Sequence, residues 1–237
     1  MNRKVLIYGG GPYHPTHQQA DWFRPRIESL GCEVIYSESR SLFDRLDQAD
    51  LLIISALDWS EAHKQSLEHW ETPQHRKTEY APLSDTHFDA IREYIQVGKS
   101  LMCHHCAIAN WDERPEFNDI FDGRWIWGQS NHTPVGMQVA TSVVSPEHPI
   151  CRGMSDFSLT DELYYKLAAP RRSQILLEAT HDAKRWPLAW AGSTPGGGRY
   201  VYSGLGHDML SFASPCLDLF LTQAITWLLD SQTKGSL

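Results

Sequence analysis

The sequence predicts an α/β fold, a doubly wound and mostly parallel sheet with helices on both faces. Two observations carry that prediction. Short apolar segments rich in β-branched residues alternate with segments of helical apolar spacing over the first 105 residues. The helical segments end on Gly31 and Gly98, as helix C-termini often do. Strand and helix in alternation imply parallel strands joined by right-handed crossovers.

The elements follow in order. "KVLIYGG" (4–10) reads as the first strand, and "HQQADWFRPRIESLG" (17–31) as a helix. "CEVIYSES" (32–39) and "DLLIISAL" (50–57) are the next two strands. In "DTHFDAIREYIQVG" (85–98), Phe88, Ile91, Tyr94 and Ile95 share one helical face, with Asp85 or Thr86 as the N-cap. "KSLMCHH" (99–105) is a fourth strand. The second half is richer in strands: "VGMQVATSVV", "SDFSLTDELYYKL", "QILLEATH", "WPLAWAG" and "RYVYSGLGH". A last helix, "PCLDLFLTQAITWLLDS" (215–231), is apolar almost all round and is expected to dock into the core, with Pro215 in its first turn.

One domain over residues 1–232 with a short tail at 233–237 is the expected organisation, since 237 residues at 41% hydrophobic composition supply a sizeable core. Residues 60–84 interrupt it. They are polar, carry His63, His69 and His75, and form a connection far longer than usual, a solvated insertion or a lid.

A net charge of −8 argues against a nucleic-acid partner, which needs a cationic face. No apolar run approaches a membrane span, and the run after the basic N-terminus stops at three glycines, too early for a signal peptide. Five cysteines, an odd number, fit reduced thiols in the cytoplasm.

In an open α/β sheet, ligands bind beyond the carboxyl ends of the strands. Polar residues gather at such positions here: His14 and His17 after the first strand, His104 and His105 after the fourth, His207 and Asp208 after "RYVYSGLG". His132 in "WIWGQSNHTP" joins them. Imidazoles converging on one rim suit a transition metal or proton shuttling. "GGGPYH" lacks the G-x-G-x-x-G spacing, and its two prolines remove amide donors, so it reads as a close-approach turn rather than a dinucleotide loop. In "TDELYYKL", Glu162 with Tyr164 is either an acid/base pair or, with Asp161, the exposed row of an edge strand.

The segment "GKSLMCHHCAIANW" admits four readings. A redox C-x-x-C needs its first thiol at a helix N-terminus, whereas Cys103 falls inside the strand. A structural zinc site needs more paired cysteines than Cys32, Cys151 and Cys216 supply. A nucleophile elbow would put His105 at the tip and begin the helix at Cys106. The last is the packed end of a core strand.

Taken in order, "GGGPYHP", "GKSLMCHHCA", "NHTP" after "WIWGQS", "SPEHPICRGM", "TDELYYKL" and "PLAWAGSTPGGGRYVYSGLGHD" resemble the ThuA-like (trehalose utilisation) family over nearly the whole chain. The resemblance implies a flavodoxin-like, class I glutamine amidotransferase-like fold without that enzyme's cysteine. It also implies a role in carbohydrate metabolism on a disaccharide or keto-sugar. The family's histidines fall on His14, His105, His132 and His207, and its acidic position on Glu162 with Tyr164.

The expectation is therefore a metal-assisted enzyme with a divalent ion, zinc or manganese, on some of those four histidines. Glu162, Tyr164 and His105 would do the chemistry, and Trp127, Tyr13 and Asp208 would contact the carbohydrate; Trp111 and Trp125 are further aromatic candidates. Isomerisation, elimination and hydrolysis are all open, as is assembly into a homo-oligomer. A cysteine-dependent amidotransferase or hydrolase using Cys106, or a non-catalytic carbohydrate-binding subunit, is the alternative. The insertion and the "CHHC" run depart from the family pattern.

Overall fold

A computed structural model describes residues 3–59 and 82–230. The expectations for the 60–84 lid with His63, His69 and His75, and for the 233–237 tail, fall on or mainly on residues outside those described. In chain order the elements are β1 (Arg3–Tyr8), α1 (Thr16–Ser29), β2 (Cys32–Ser37), β3 (Leu51–Ile54), α2 (Asp85–Gln96), β4 (Ser100–His104) and α3 (Pro115–Asn118). They continue with β5 (Asn131–His132), β6 (Met137–Val143), β7 (Phe157–Asp161), β8 (Tyr164–Tyr165), β9 (Gln174–His181), β10 (Lys184–Ser193) and β11 (Arg199–Ser203). Two helices close the chain, α4 (Met209–Phe212) and α5 (Pro215–Asp230).

Nine strands make one sheet in the order β2-β1-β3-β4-β11-β10-β9-β6-β7. From β2 to β11 the neighbours are parallel. From β11 to β7 they are antiparallel, which is the strand-rich second half.

The parallel strands are apolar throughout because both of their faces are covered. Val5 and Ile7 of β1, with Ile53 and Met102, face the side packed by Phe23 and Ile27 of α1 and Leu217 and Phe220 of α5. Leu6 and Tyr8, with Leu52, Ile54 and Leu101, face Phe88 and Ile91 of α2 and Phe43 of the 3-10 segment 40–48. Alternate residues of one strand thus feed two cores, and the sheet is doubly wound.

Helix α5 docks through one face, Leu217, Phe220, Leu221, Ala224, Ile225, Leu228 and Leu229, while Leu219 is 40% exposed. Each such buried side chain is worth about 1.5–3 kcal/mol. The N-cap of α2 is Ser84 rather than Asp85 or Thr86; its Oγ accepts from the N–H of His87.

The largest departure from the sequence reading lies after β7. Strict alternation over 160–165 stops at Asp161, where the chain leaves the sheet, and Tyr164–Tyr165 pairs instead with Asn131–His132 in a two-stranded ribbon. Asp161 and Glu162 are 1% and 3% exposed, so they are not the solvent row of an edge strand.

Candidate functional site

Three strand ends and the β7–β8 break build one cluster. After β1 the backbone turns through Gly10 (φ 111°) and Gly11 (φ 89°). A Cβ on Gly11 would lie 2.2 Å from the carbonyl oxygen of Leu57, so only glycine lets this loop press against the one after β3. The turn delivers Tyr13 and His14. At the end of β4, His105 stands at the tip with φ 46°, and a 3-10 turn over His105–Ala109 follows. After β11, the 204–207 segment brings in His207.

His14, His105, His207 and Glu162 each offer a ligand atom, and these atoms lie within 4.8 Å of one another. Glu162 is the hub. Its Oε2 is 3.0 Å from His207 Nδ1 and 3.3 Å from His105 Nε2, and its Oε1 is 2.5 Å from His132 Nδ1. His105 Nε2 and His207 Nδ1 are 3.4 Å apart. The outer ring nitrogens are committed: His105 Nδ1 donates to the Gly204 carbonyl at 2.9 Å, and His14 Nδ1 to that of Pro12 at 3.1 Å. Such second contacts fix tautomers and turn the other nitrogen's lone pair inward.

With Nδ1 of His105 spent on a carbonyl, its neutral Nε2 is an acceptor facing a carboxylate, which is also an acceptor. The proton on His207 Nδ1 can be shared between those two acceptors, and a further proton or a metal ion at the centre would relieve their opposition completely. The electrostatics agree. Burial opposes charge on His105, but the hydrogen bond and charge of Glu162 outweigh it and lift the imidazole above its ordinary pKa. Burial also works against the Glu162 carboxylate, yet hydrogen bonds from His105, His132 and His207 hold it far below the usual range. His132 is raised, first by its hydrogen bond to Glu162. His14, by contrast, is lowered by burial and by its histidine neighbours.

The expected site residues therefore divide. His132 contacts Glu162 through its outer oxygen instead of joining the four-atom group, so it orients the carboxylate. Glu162, expected to move a proton, is held as an anion by hydrogen bonds from three imidazoles. Tyr164 stacks on His105 at 4.4 Å, with its hydroxyl 3.5 Å from His14 Nε2. Burial and then the Glu162 charge keep that phenol protonated, so its hydroxyl is a hydrogen-bond donor beside His14.

Asp208, expected to contact the carbohydrate, lies outside the four-atom group. Its carboxylate caps α4, accepting from the N–H of Leu210 and of Ser211. His17 is exposed beside Asp21 and takes no part. Trp111 is wholly buried among Tyr8, Phe43 and Phe117. Half-buried rings run from Tyr164 outward: Trp125 meets both Tyr164 and Trp127, Trp127 meets Trp59 at 5.0 Å, and Trp59 meets Tyr13 at 6.2 Å.

Sequence reasoning missed Trp59, which packs on Trp127, and two buried polar residues near the cluster, Ser55 and Gln19, joined by a 2.7 Å hydrogen bond; it read Asp161 as exposed. The rule that located the histidines, side chains just past strand ends, also fits Ser55 and Trp59 after β3.

The two cysteines of "CHHC" are enclosed. Cys103 is fully buried in β4, and Cys106 is 1% exposed, its thiol donating to the Ala56 carbonyl at 3.4 Å. Burial pushes both thiols up, away from the thiolate a nucleophile needs. Iodoacetamide is expected to leave Cys106 unlabelled in the folded protein and Cys106→Ala to remain folded. Selective labelling under native conditions would reinstate thiol chemistry.

The comparisons with known proteins agree with this architecture. The family model described as ThuA, trehalose utilisation, matches residues 4–228. No curated protein matches the chain. A ThuA-like protein from Parabacteroides merdae superposes with TM-score 0.73 at 17% identity, covering 97% of this chain and 90% of its own. One from Bacteroides uniformis gives 0.71 at 17%, covering 95% and 91%. A cytoplasmic protein from Salmonella typhimurium gives 0.59 at 16%, covering 98% of both. At such identities these likenesses speak for the fold. Among the described residues, no helix is long and apolar enough to cross a membrane.

Proposed function

The chain belongs to the ThuA, trehalose utilisation, family, and from that premise we propose that it is an enzyme acting on a disaccharide or keto-sugar at a divalent-metal centre. The family description makes its role carbohydrate-related; the metal and the reaction are our reading. One observation carries it: three imidazole nitrogens from three strand ends and a carboxylate oxygen from the β7–β8 break lie within 4.8 Å of one another.

The donor set fits such an ion. Three imidazoles and one carboxylate suit zinc or manganese, and two of the imidazoles carry the carbonyl contacts usual for metal-bound histidine. His14, His105, His207 and Glu162 would hold it. The ion would supply Lewis-acid polarisation of a sugar carbonyl or of vicinal hydroxyls.

The protein's own groups do the rest. His132 donates to Glu162 Oε1 and keeps Oε2 directed at the centre. Tyr164, protonated and beside His14, can donate its proton to a substrate oxygen within reach. Tyr13, Trp59 and Trp127 are half-buried aromatic rings that would suit the C–H face of a pyranose. Isomerisation, elimination and hydrolysis of a keto-sugar all use those parts. A cytoplasmic setting belongs to the same proposal, resting on the reduced cysteines and on the Salmonella typhimurium neighbour's description.

Metal analysis of freshly purified protein, followed by chelation and calorimetric titration with zinc and manganese, tests the proposal. About one ion per chain is expected, with keto-sugar turnover or binding that disappears on chelation. Absence of stoichiometric binding by either ion would refute it.

A further inference from the structure

His104 is the histidine that the cluster leaves out. It is fully buried on the α1 side of the sheet, where its ring meets Phe23 at 5.5 Å and Phe212 at 5.6 Å. A chain of short contacts nevertheless joins it to the cluster. His104 Nδ1 lies 3.0 Å from Ser55 Oγ, and Ser55 Oγ lies 2.7 Å from Gln19 Oε1. Gln19 Nε2 reaches the carbonyl oxygens of Gly206 at 3.0 Å and His207 at 3.1 Å. Gln19, Ser55 and His104 are each at most 1% exposed.

Donor and acceptor roles along this chain have one solution. Two carbonyls face the Gln19 amide, so its NH2 must point to them and its oxygen to Ser55. Ser55 then spends its only proton on that oxygen. It can only accept from His104, which must carry its proton on Nδ1.

The far end of the chain lands on the residue pair that another group grips from the opposite side. Asp161 accepts the N–H of Gly206 at 2.8 Å and of His207 at 3.0 Å. Gln19 takes the carbonyls of the same two residues. Gly206 has φ 108°, and a Cβ there would stand 2.6 Å from His104 Nε2, so His104 also packs directly against this turn. Both backbone groups of both residues are held, and the His207 side chain leaves from that clamp toward Glu162.

We infer that Gln19, Ser55 and His104 are positioning residues for His207: a buried relay that sets the place of one ligand of the metal centre. An apolar core of equal volume would fill the space, but it would leave two buried carbonyls without donors and the turn without a fixed direction. The inference rests on the metal-centre reading above.

Cobalt(II) titration of the metal-free full chain, followed by visible absorption, tests it with a readout other than activity. Ser55→Ala and Gln19→Ala should bind cobalt about 10–100-fold more weakly, as loss of outer contacts to metal ligands does, and with an altered d–d spectrum. Their far-UV circular dichroism should stay that of wild type. His104→Leu should behave like Ser55→Ala. His104→Asn, whose amide can donate from near the Nδ1 position, should keep most of the affinity.

Wild-type affinity and spectrum in both Ser55→Ala and Gln19→Ala would overturn the relay while leaving the metal centre standing. A wild-type protein that binds neither cobalt, zinc nor manganese would overturn both. Ser55→Ala removes a single oxygen atom, so it decides the question should Gln19→Ala fail to fold.

Discussion

Protein carrying His105→Ala together with His207→Ala is expected to bind zinc or manganese more than about 100-fold more weakly than wild type and to lose metal-dependent turnover, because two of four inward ligands are gone. Its pH behaviour should change as well. In metal-free wild type, His105 and His132 have pKa values raised by Glu162. Such groups lend stability that is complete below the unfolded value, near 6.5, and is lost as pH rises through the folded value. His14 and His104 are lowered, so their contribution fades as pH falls below 6.5, and the depressed Glu162 adds acid sensitivity below about 4.5. Metal-free wild type should therefore be most stable near pH 6.5. Metal affinity should climb above that pH, because binding needs His105 neutral. The double variant should lose the alkaline share that His105 contributes. Urea unfolding between pH 5.5 and 8.5 with chelator present checks this, and a wild-type profile rising steadily through that range would contradict it.

Much of this was legible in the sequence. The short, uninterrupted apolar runs specified the parallel half, because strands buried on both faces have to be apolar throughout. The rule of strand carboxyl ends brought His14, His105 and His207 to one rim, since it depends on topology and not on contacts. The local readings were weaker where backbone geometry decides. "TDELYY" looks like a continuing strand, yet the chain departs at Glu162 because Asp161 bonds to the 206–207 backbone, a partner 45 residues away that periodicity does not show. Asp208 follows His207 directly, yet helix α4 claims its carboxylate. Trp59 stood outside the Trp-rich run that drew attention to Trp125 and Trp127, although it packs on Trp127. His104 and His105 are neighbours with opposite fates because one is still in the strand and the other, at φ 46°, has left it.

Asp161→Ala should be among the most damaging single substitutions in the protein. The carboxylate accepts three backbone N–H groups, those of Gly206, His207 and Glu162, all buried. Removing it leaves donors that cost about 1–3 kcal/mol each when unsatisfied. Relaxation of the turn and entry of water make their sum an upper bound, so a loss of about 3–5 kcal/mol is expected. Metal affinity should fall with it, since two of those N–H groups belong to the turn that carries His207 and the third to Glu162 itself. Asp161→Asn should be milder: the amide oxygen can still accept from His207 and Glu162, while its NH2 faces the N–H of Gly206 and loses that contact. An edge-strand carboxylate predicts something else, a change within about 0.5 kcal/mol for either substitution, as is usual at exposed sites. Urea unfolding of the three proteins separates the two pictures, and a loss under about 1 kcal/mol in Asp161→Ala would mean that the turn is held by Gln19 and packing alone.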